Sequence, residues 1–232
     1  MSKYSWLFFD ADGTLFDYDQ GEETALQKTF HDLCLPFTPQ VALAYQRINQ
    51  QIWQEFEQGR ISSVALRTVR FERLFAELGI AASAEQFSQR YLPNLARVSD
   101  LIVGAERLVK GLVGHYHLGL ITNGLVEVQR PRLQGSAIAG CFEVVVISEE
   151  VEVSKPDLRY FQVALAKAGD PPHRQVLVIG DSLSSDIRGG FEAGLDTCWY
   201  NPTGKPPDLR WLPTYEIARL EDLWGILRGK NR

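Results

Sequence analysis

The chain has 232 residues, is 45% hydrophobic and carries a formal net charge of −5, with a pI near 5.5. It is large enough to bury a core. The lack of a basic block excludes the electrostatic footprint of a protein that binds DNA or RNA polymers. No apolar run approaches the roughly 18 residues of a membrane span, and "YSWLFF" is too short for the apolar region of a signal peptide. Cys34, Cys141 and Cys198 are far apart, show no CxxC or Cys/His metal spacing, and read as reduced thiols. A cytoplasmic protein is expected.

The first predicted element is a strand, "YSWLFFD", from Tyr4 to Asp10. Its apolar run is continuous, the mark of a strand covered on both faces. From about Tyr18 to Ser99 no strand is predicted. "PQVALAYQRINQQIWQEFEQG" places Val41, Tyr45, Ile48, Ile52 and Phe56 on one helical stripe, and "SSVALRTVRFERLFAELG" does so with Phe71, Leu74, Phe75 and Leu78 before stopping at Gly79. Ser83 with Gln86 fits a capping box.

Alternation then sets in. Helix "GAERLVKGLVGHY" leads to strand "HLGLITN", and "VEVQRPRLQGS" is a helix that starts or kinks at Pro131. Strand "FEVVVIS" is followed by helix "PDLRYFQVALAKAG", with Pro156 near its start and Gly169 at its end. Strand "QVLVIGD", helix "SSDIRGGFEAG" and strand "DTCWYN" complete the pattern, and "TYEIARL" adds a short sixth strand after a proline-rich loop. Alternating strands and helices predict an α/β fold, a doubly wound parallel sheet with a helical block inserted after its first strand.

Four strand ends carry candidate chemistry, where open α/β sheets place their ligands. Asp10 and Asp12 end the first; on extended chain, residues two apart point to one side. A divalent cation would relieve their repulsion, and hard oxygen ligands suit Mg²⁺. Asp-Gly is also a common turn dipeptide. Thr122 and Asn123 end the second strand, Lys155 follows the third, and Asp181 and Asp186 follow the fourth. Taken singly, "ITNG" reads as a turn, Lys155 as a surface lysine, and Asp186 as an acid favouring the next helix start.

Together, in this order, DxDGT, a Thr at a strand end, Lys-Pro and GDxxxxD strongly resemble the motif set of the haloacid dehalogenase superfamily over nearly the whole chain. The resemblance implies a Rossmann-like core, residues 1–16 and 100–232, with strand order 3-2-1-4-5, and an all-helical cap, residues 17–99. It implies that Asp10 is a nucleophile forming an aspartyl-phosphate and that Asp12 is a general acid and base. Thr122, Asn123 through its backbone N–H, and Lys155 would bind phosphate. Mg²⁺ would be held by Asp10, the backbone carbonyl of Asp12, and Asp181, with Asp186 holding a metal-bound water or supporting Lys155. An acid at position 12 favours phosphate-ester hydrolysis over dehalogenation.

"QEFEQGRISS", "LGLITNGLVEVQRPRL", "VVVISEEVEVSKPD" and "AGLDTCWYNP" are similar to stretches of the bacterial pyrimidine 5′-nucleotidases of that superfamily. This finer resemblance implies UMP, dUMP and dTMP as substrates, with "FEQGRIS" (Phe56 to Ser62) as the cap signature. Gly59 and Ser62 also read simply as a helix stop and a helix cap. Gly13 is replaced by Glu in some members of that branch, with no effect on chemistry expected. The alternative is a phosphatase for another small ester, such as a sugar phosphate or phosphoglycolate, whose carboxylate Arg60 or Arg67 would meet. A non-catalytic phosphate-sensing module has no need of the nucleophile. The partner is thus a small phosphate ester, with no nucleic-acid polymer and no membrane, on a monomer or homodimer.

Overall fold

The computed structural model of the chain describes residues 3–229. In chain order it runs β1 (Trp6–Phe9), α1 (Tyr18–Asp32), α2 (Pro39–Glu57), α3 (Val69–Leu78), α4 (Ala84–Ala96), α5 (Ala105–Leu112), β2 (His117–Thr122) and α6 (Val126–Gly135). There follow β3 (Val144–Ile147), α7 (Ser148–Val151), α8 (Leu158–Lys167), β4 (Val176–Gly180), α9 (Arg188–Glu192), β5 (Asp196–Tyr200), β6 (Tyr215–Ile217) and α10 (Leu223–Leu227). No helix among the described residues is long and apolar enough to cross a membrane.

The six strands form one sheet in the order β3-β2-β1-β4-β5-β6, with every pairing parallel. The expected 3-2-1-4-5 order is present, and "TYEIARL" supplies the edge strand β6 beside β5. Strand side chains alternate between two cores. Leu7, Phe9, Leu177 and Ile179 pack on one face with Leu108 and Leu112 of α5 and Leu223 and Ile226 of α10. Trp6, Phe8, Val176 and Val178 pack on the other with Tyr160, Phe161 and Leu165 of α8. Both faces are covered, which explains why these strands are apolar without a break.

The chain divides into a sheet unit and a helical unit, the latter comprising residues 19–99 together with 127–132. In the helical unit, Phe71 packs with Phe87 and Tyr91 at ring-centroid distances of 4.7 and 5.1 Å. A buried polar chain runs beside them: Asn49 Nδ2 donates to Glu22 Oε1 at 2.5 Å, and Arg70 Nη1 donates to Asn49 Oδ1 at 3.1 Å. Such groups are tolerable inside because they satisfy one another. Of the α2 stripe, Val41, Tyr45, Ile48 and Ile52 are buried, whereas Phe56 is half-buried. Ser83 Oγ accepts from Gln86 N at 3.3 Å, the first half of the expected capping box. Gly79 ends α3 with φ of 64°. Pro131 lies inside α6, which begins five residues earlier at Val126.

Within the sheet unit the two connecting segments run side by side. Asp17 N donates to Asp100 O at 3.0 Å, and Ile102 N donates to Leu15 O at 2.9 Å.

Candidate active site

β1 delivers Asp10. Its N–H donates to Ile179 O at 2.8 Å, extending the ladder to β4 by one residue. The chain then turns: Leu15 N and Phe16 N both donate to Ala11 O, at 2.9 and 2.8 Å. Asp12 lies in this turn, half-buried and bridged to Phe16. The carboxylates that converge are Asp10, Asp181 and Asp186, each offering an oxygen within 4.8 Å of the others. The Asp12 carboxylate is not in that group.

Two glycines make room for the other two acids. A Cβ on Gly180 would fall 2.2 Å from Asp186 Oδ2, so only glycine lets Asp186 fold back under the end of β4. Ser182 N donates to the same oxygen at 3.1 Å. Gly13 has φ of +82°, and its Cβ would fall 2.8 Å from Asp181 Oδ2. A side chain at position 13 thus requires the Asp181 carboxylate to shift. Asp181 is further held by Thr14, whose Oγ1 donates to Oδ1 at 3.3 Å, and by Trp199, whose Nε1 donates to the Asp181 carbonyl at 2.9 Å.

Lys155 is no surface lysine; it is 1% exposed. Its Nζ donates to Asp10 Oδ1 at 2.5 Å, Asp186 Oδ1 at 2.7 Å and Ile121 O at 3.0 Å, using all three ammonium protons. Of the two expected tasks for Asp186, contact with Lys155 is the one seen in the geometry. The Asn123 side chain holds the lysine's main chain at both ends: Nδ2 donates to Lys155 O and Oδ1 accepts from Lys155 N, each at 2.9 Å. Asn123 therefore spends its amide on the lysine's backbone. Thr122 is 1% exposed, and its Oγ1 has no hydrogen-bond partner. A buried hydroxyl without a protein partner is a donor free to meet a phosphoryl oxygen.

Tyr160, Thr14 and Trp199 support the site without having been singled out in the sequence. The Tyr160 hydroxyl shares its one proton between Val146 O at 2.8 Å and Thr122 O at 3.3 Å. Thr14 lies within DxDGT and was open to recognition, whereas Tyr160 and Trp199 look like ordinary core aromatics. The histidines lie elsewhere. His115 and His117 flank a groove of about 730 Å³ at the opposite edge of the sheet, where the strands begin.

The charges are unbalanced, with three carboxylates around one ammonium. Burial pushes the Asp10 carboxyl well above its ordinary range; Lys155 opposes this while Asp186 and Asp181 add to it. Asp181 is pushed up to about 7 by burial and by Asp186. Burial works against the Lys155 ammonium, but Asp10 and Asp186 outweigh it and keep the lysine charged. An all-oxygen donor set with surplus negative charge fits a hard divalent cation such as Mg²⁺.

A stability prediction follows. Folded Asp181 keeps a proton up to about pH 7 that the unfolded chain releases near 3.8. Its stabilising contribution is therefore complete in acid and is lost as pH rises toward 7. In EDTA the melting temperature should fall between about pH 5 and pH 8, and Mg²⁺ should raise it more at the higher pH, where protons no longer compete. Scanning calorimetry reads both, and equal Mg²⁺ shifts at the two pH values would contradict a cation on these carboxylates.

The class is thereby defined: a doubly wound α/β protein with an acidic centre and a buried lysine at its topological switch point. A family model described as haloacid dehalogenase-like hydrolase matches residues 4–194. The HAD-hydrolase YfnB of Bacillus subtilis (strain 168) is 37% identical over 231 residues, covering 100% of this chain and 98% of YfnB. The pyrimidine 5′-nucleotidase YjjG of Escherichia coli (strain K12) is 36% identical over 97% of this chain and 98% of its own. The pyrimidine 5′-nucleotidase PynA of Streptococcus pneumoniae is 34% identical over 97% of this chain and 95% of its own. The crystal structure of YfnB bound to magnesium superposes with a TM-score of 0.91, covering 97% of this chain and 98% of that one. The chain belongs to the haloacid dehalogenase-like hydrolase family.

Proposed function

We propose that the protein is a Mg²⁺-dependent phosphatase that hydrolyses the pyrimidine nucleoside 5′-monophosphates UMP, dUMP and dTMP through an aspartyl-phosphate on Asp10. The observation that carries the chemistry is the buried Asp10 carboxylate bonded to Lys155 and crowded by Asp181 and Asp186. The choice of substrate rests on full-length similarity to two pyrimidine 5′-nucleotidases.

In this reading Asp10 attacks phosphorus in line, and the bond from phosphorus to the 5′-oxygen breaks. Asp12 gives its proton to the departing 5′-oxygen and then takes one from the water that cleaves the acyl-phosphate. Lys155 neutralises charge on the transferring group, with Asp186 fixing its position. Thr122 donates its unpaired hydroxyl to a phosphoryl oxygen. Asp10 and Asp181 would hold Mg²⁺, which would supply positive charge against the repulsion between these carboxylates and the phosphate dianion. The helical cap, residues 17–99, selects the base. Arg67 is paired with Glu127 at 2.8 Å, which disfavours it as the cation for a phosphoglycolate carboxylate.

Two measurements test this. Phosphate release with Mg²⁺ across UMP, dUMP, dTMP, CMP, AMP, GMP, phosphoglycolate and hexose phosphates should favour the first three. Flat or sugar-phosphate activity would discard the substrate while keeping the core chemistry. Thr122→Val should weaken binding of a phosphate ester about tenfold while raising stability by about 1 kcal/mol, because an unpaired buried hydroxyl disappears. Enzyme kinetics and urea melts read the two effects; a destabilised variant with unchanged KM would remove Thr122 from phosphate binding.

A further inference from the structure

We propose that Ser148 and Glu149, where β3 ends and α7 begins, are positioning residues for the turn that carries Thr122 and Asn123. The inference rests on the phosphatase reading above and extends it to residues outside the four motifs.

After Thr122 the chain passes through Asn123, Gly124 and Leu125 into α6. Leu125 is the N-cap of α6, in extended conformation, and its side chain makes no cap hydrogen bond. Leucine has no oxygen to accept from the first free N–H groups of the helix, so an acceptor must come from elsewhere. Glu149 provides it: its Oε2 accepts from Val126 N at 2.9 Å. One residue earlier, the buried Ser148 Oγ accepts from Gly124 N at 3.1 Å. Two consecutive residues of a neighbouring strand end thus fasten two points of the same turn. Tyr160 holds its first carbonyl, and the Asn123 amide ties it to Lys155. In a turn held from so many sides, the Thr122 hydroxyl is left unpartnered.

The carboxylate has a second consequence. A free helix N-terminus attracts phosphate through its N–H groups and dipole. With Glu149 on Val126 N, that position is filled by a protein anion. Phosphate is directed instead to Thr122 and Lys155, where Asp10 can reach it. Holding a donor in its productive direction is what makes it effective toward a bound phosphoryl group.

The test uses the full-length, Mg²⁺-loaded protein. Orthophosphate binding is measured by titration calorimetry, and kcat and KM are measured with p-nitrophenyl phosphate, which leaves base recognition out. Glu149→Ala should raise both the orthophosphate Kd and the KM about tenfold, with a smaller change in kcat, since the contact is made in ground and transition states alike. Glu149→Gln, which keeps an acceptor oxygen, should stay within about twofold of wild type. Ser148→Ala tests the second tether independently and should weaken orthophosphate binding in the same direction. Wild-type affinity in both alanine variants would overturn the proposal, as would a glutamine variant as weak as Glu149→Ala. A wild-type protein that binds no orthophosphate would instead bring down the phosphatase reading, and this inference with it.

Discussion

Asp10→Asn is expected to lower turnover of p-nitrophenyl phosphate by a factor on the order of a thousand or more while leaving the fold intact. Asparagine has nearly the same shape and keeps the main-chain bond from residue 10 to Ile179 O. Its amide oxygen is too weak a nucleophile to form the acyl-phosphate. Stability should change little, because two effects oppose. Lys155 loses the charge of its partner at residue 10, but the asparagine amide oxygen can still accept from it, as does Asp186 at 2.7 Å. At the same time one of three crowded carboxylates disappears, and with it the burial and the repulsion from Asp186 and Asp181 that push the Asp10 carboxyl upward against Lys155. Single-turnover phosphate release and a thermal melt read the two quantities. A variant retaining a tenth of wild-type activity would end the nucleophile assignment.

Lys155→Met should be damaging in both respects. The ammonium is the partner of two buried carboxylates, Asp10 at 2.5 Å and Asp186 at 2.7 Å. Removing one partner from a buried ion pair costs about 3–5 kcal/mol, because an uncompensated charge stays behind. Loss of a charged group beside the transferring phosphoryl should lower kcat by about a hundredfold to a thousandfold. The pH profile gives a more specific readout. Lys155 is the group that lowers the Asp10 carboxyl against burial, so without it Asp10 stays protonated to higher pH. The acid limb of the activity profile should therefore move upward in pH. Urea denaturation and a pH series of kcat/KM check the pair; an unshifted acid limb would mean that Lys155 does not control the ionisation of Asp10.

Much of the framework was legible in the residues. Strands β1, β2, β3 and β4 declare themselves as unbroken apolar runs, because a parallel sheet covered on both faces has no solvent side to mark with polar residues. The stripe of Val41, Tyr45, Ile48 and Ile52 declares α2 for the analogous reason on a single helix face. Asp10 and Asp181 could be picked out because each closes such a run, at the edge where an open sheet keeps its ligands, whereas Thr122 and Lys155 stood out only through the resemblance of the four motifs taken together.

What the residues alone determined is therefore the alternation of elements, the inserted helices and the strand ends where chemistry gathers. Each depends on local periodicity, which a linear string displays. The tertiary structure alone decided which acids meet. Asp10, Asp181 and Asp186 come together within 4.8 Å, and Gly180 leaves the room that Asp186 needs to join them. It also decided that Asn123 holds the backbone of Lys155 and that Glu149 caps α6 for a leucine that cannot. These pairings join residues more than 20 positions apart, through directed hydrogen bonds whose geometry exists only once the strands are side by side.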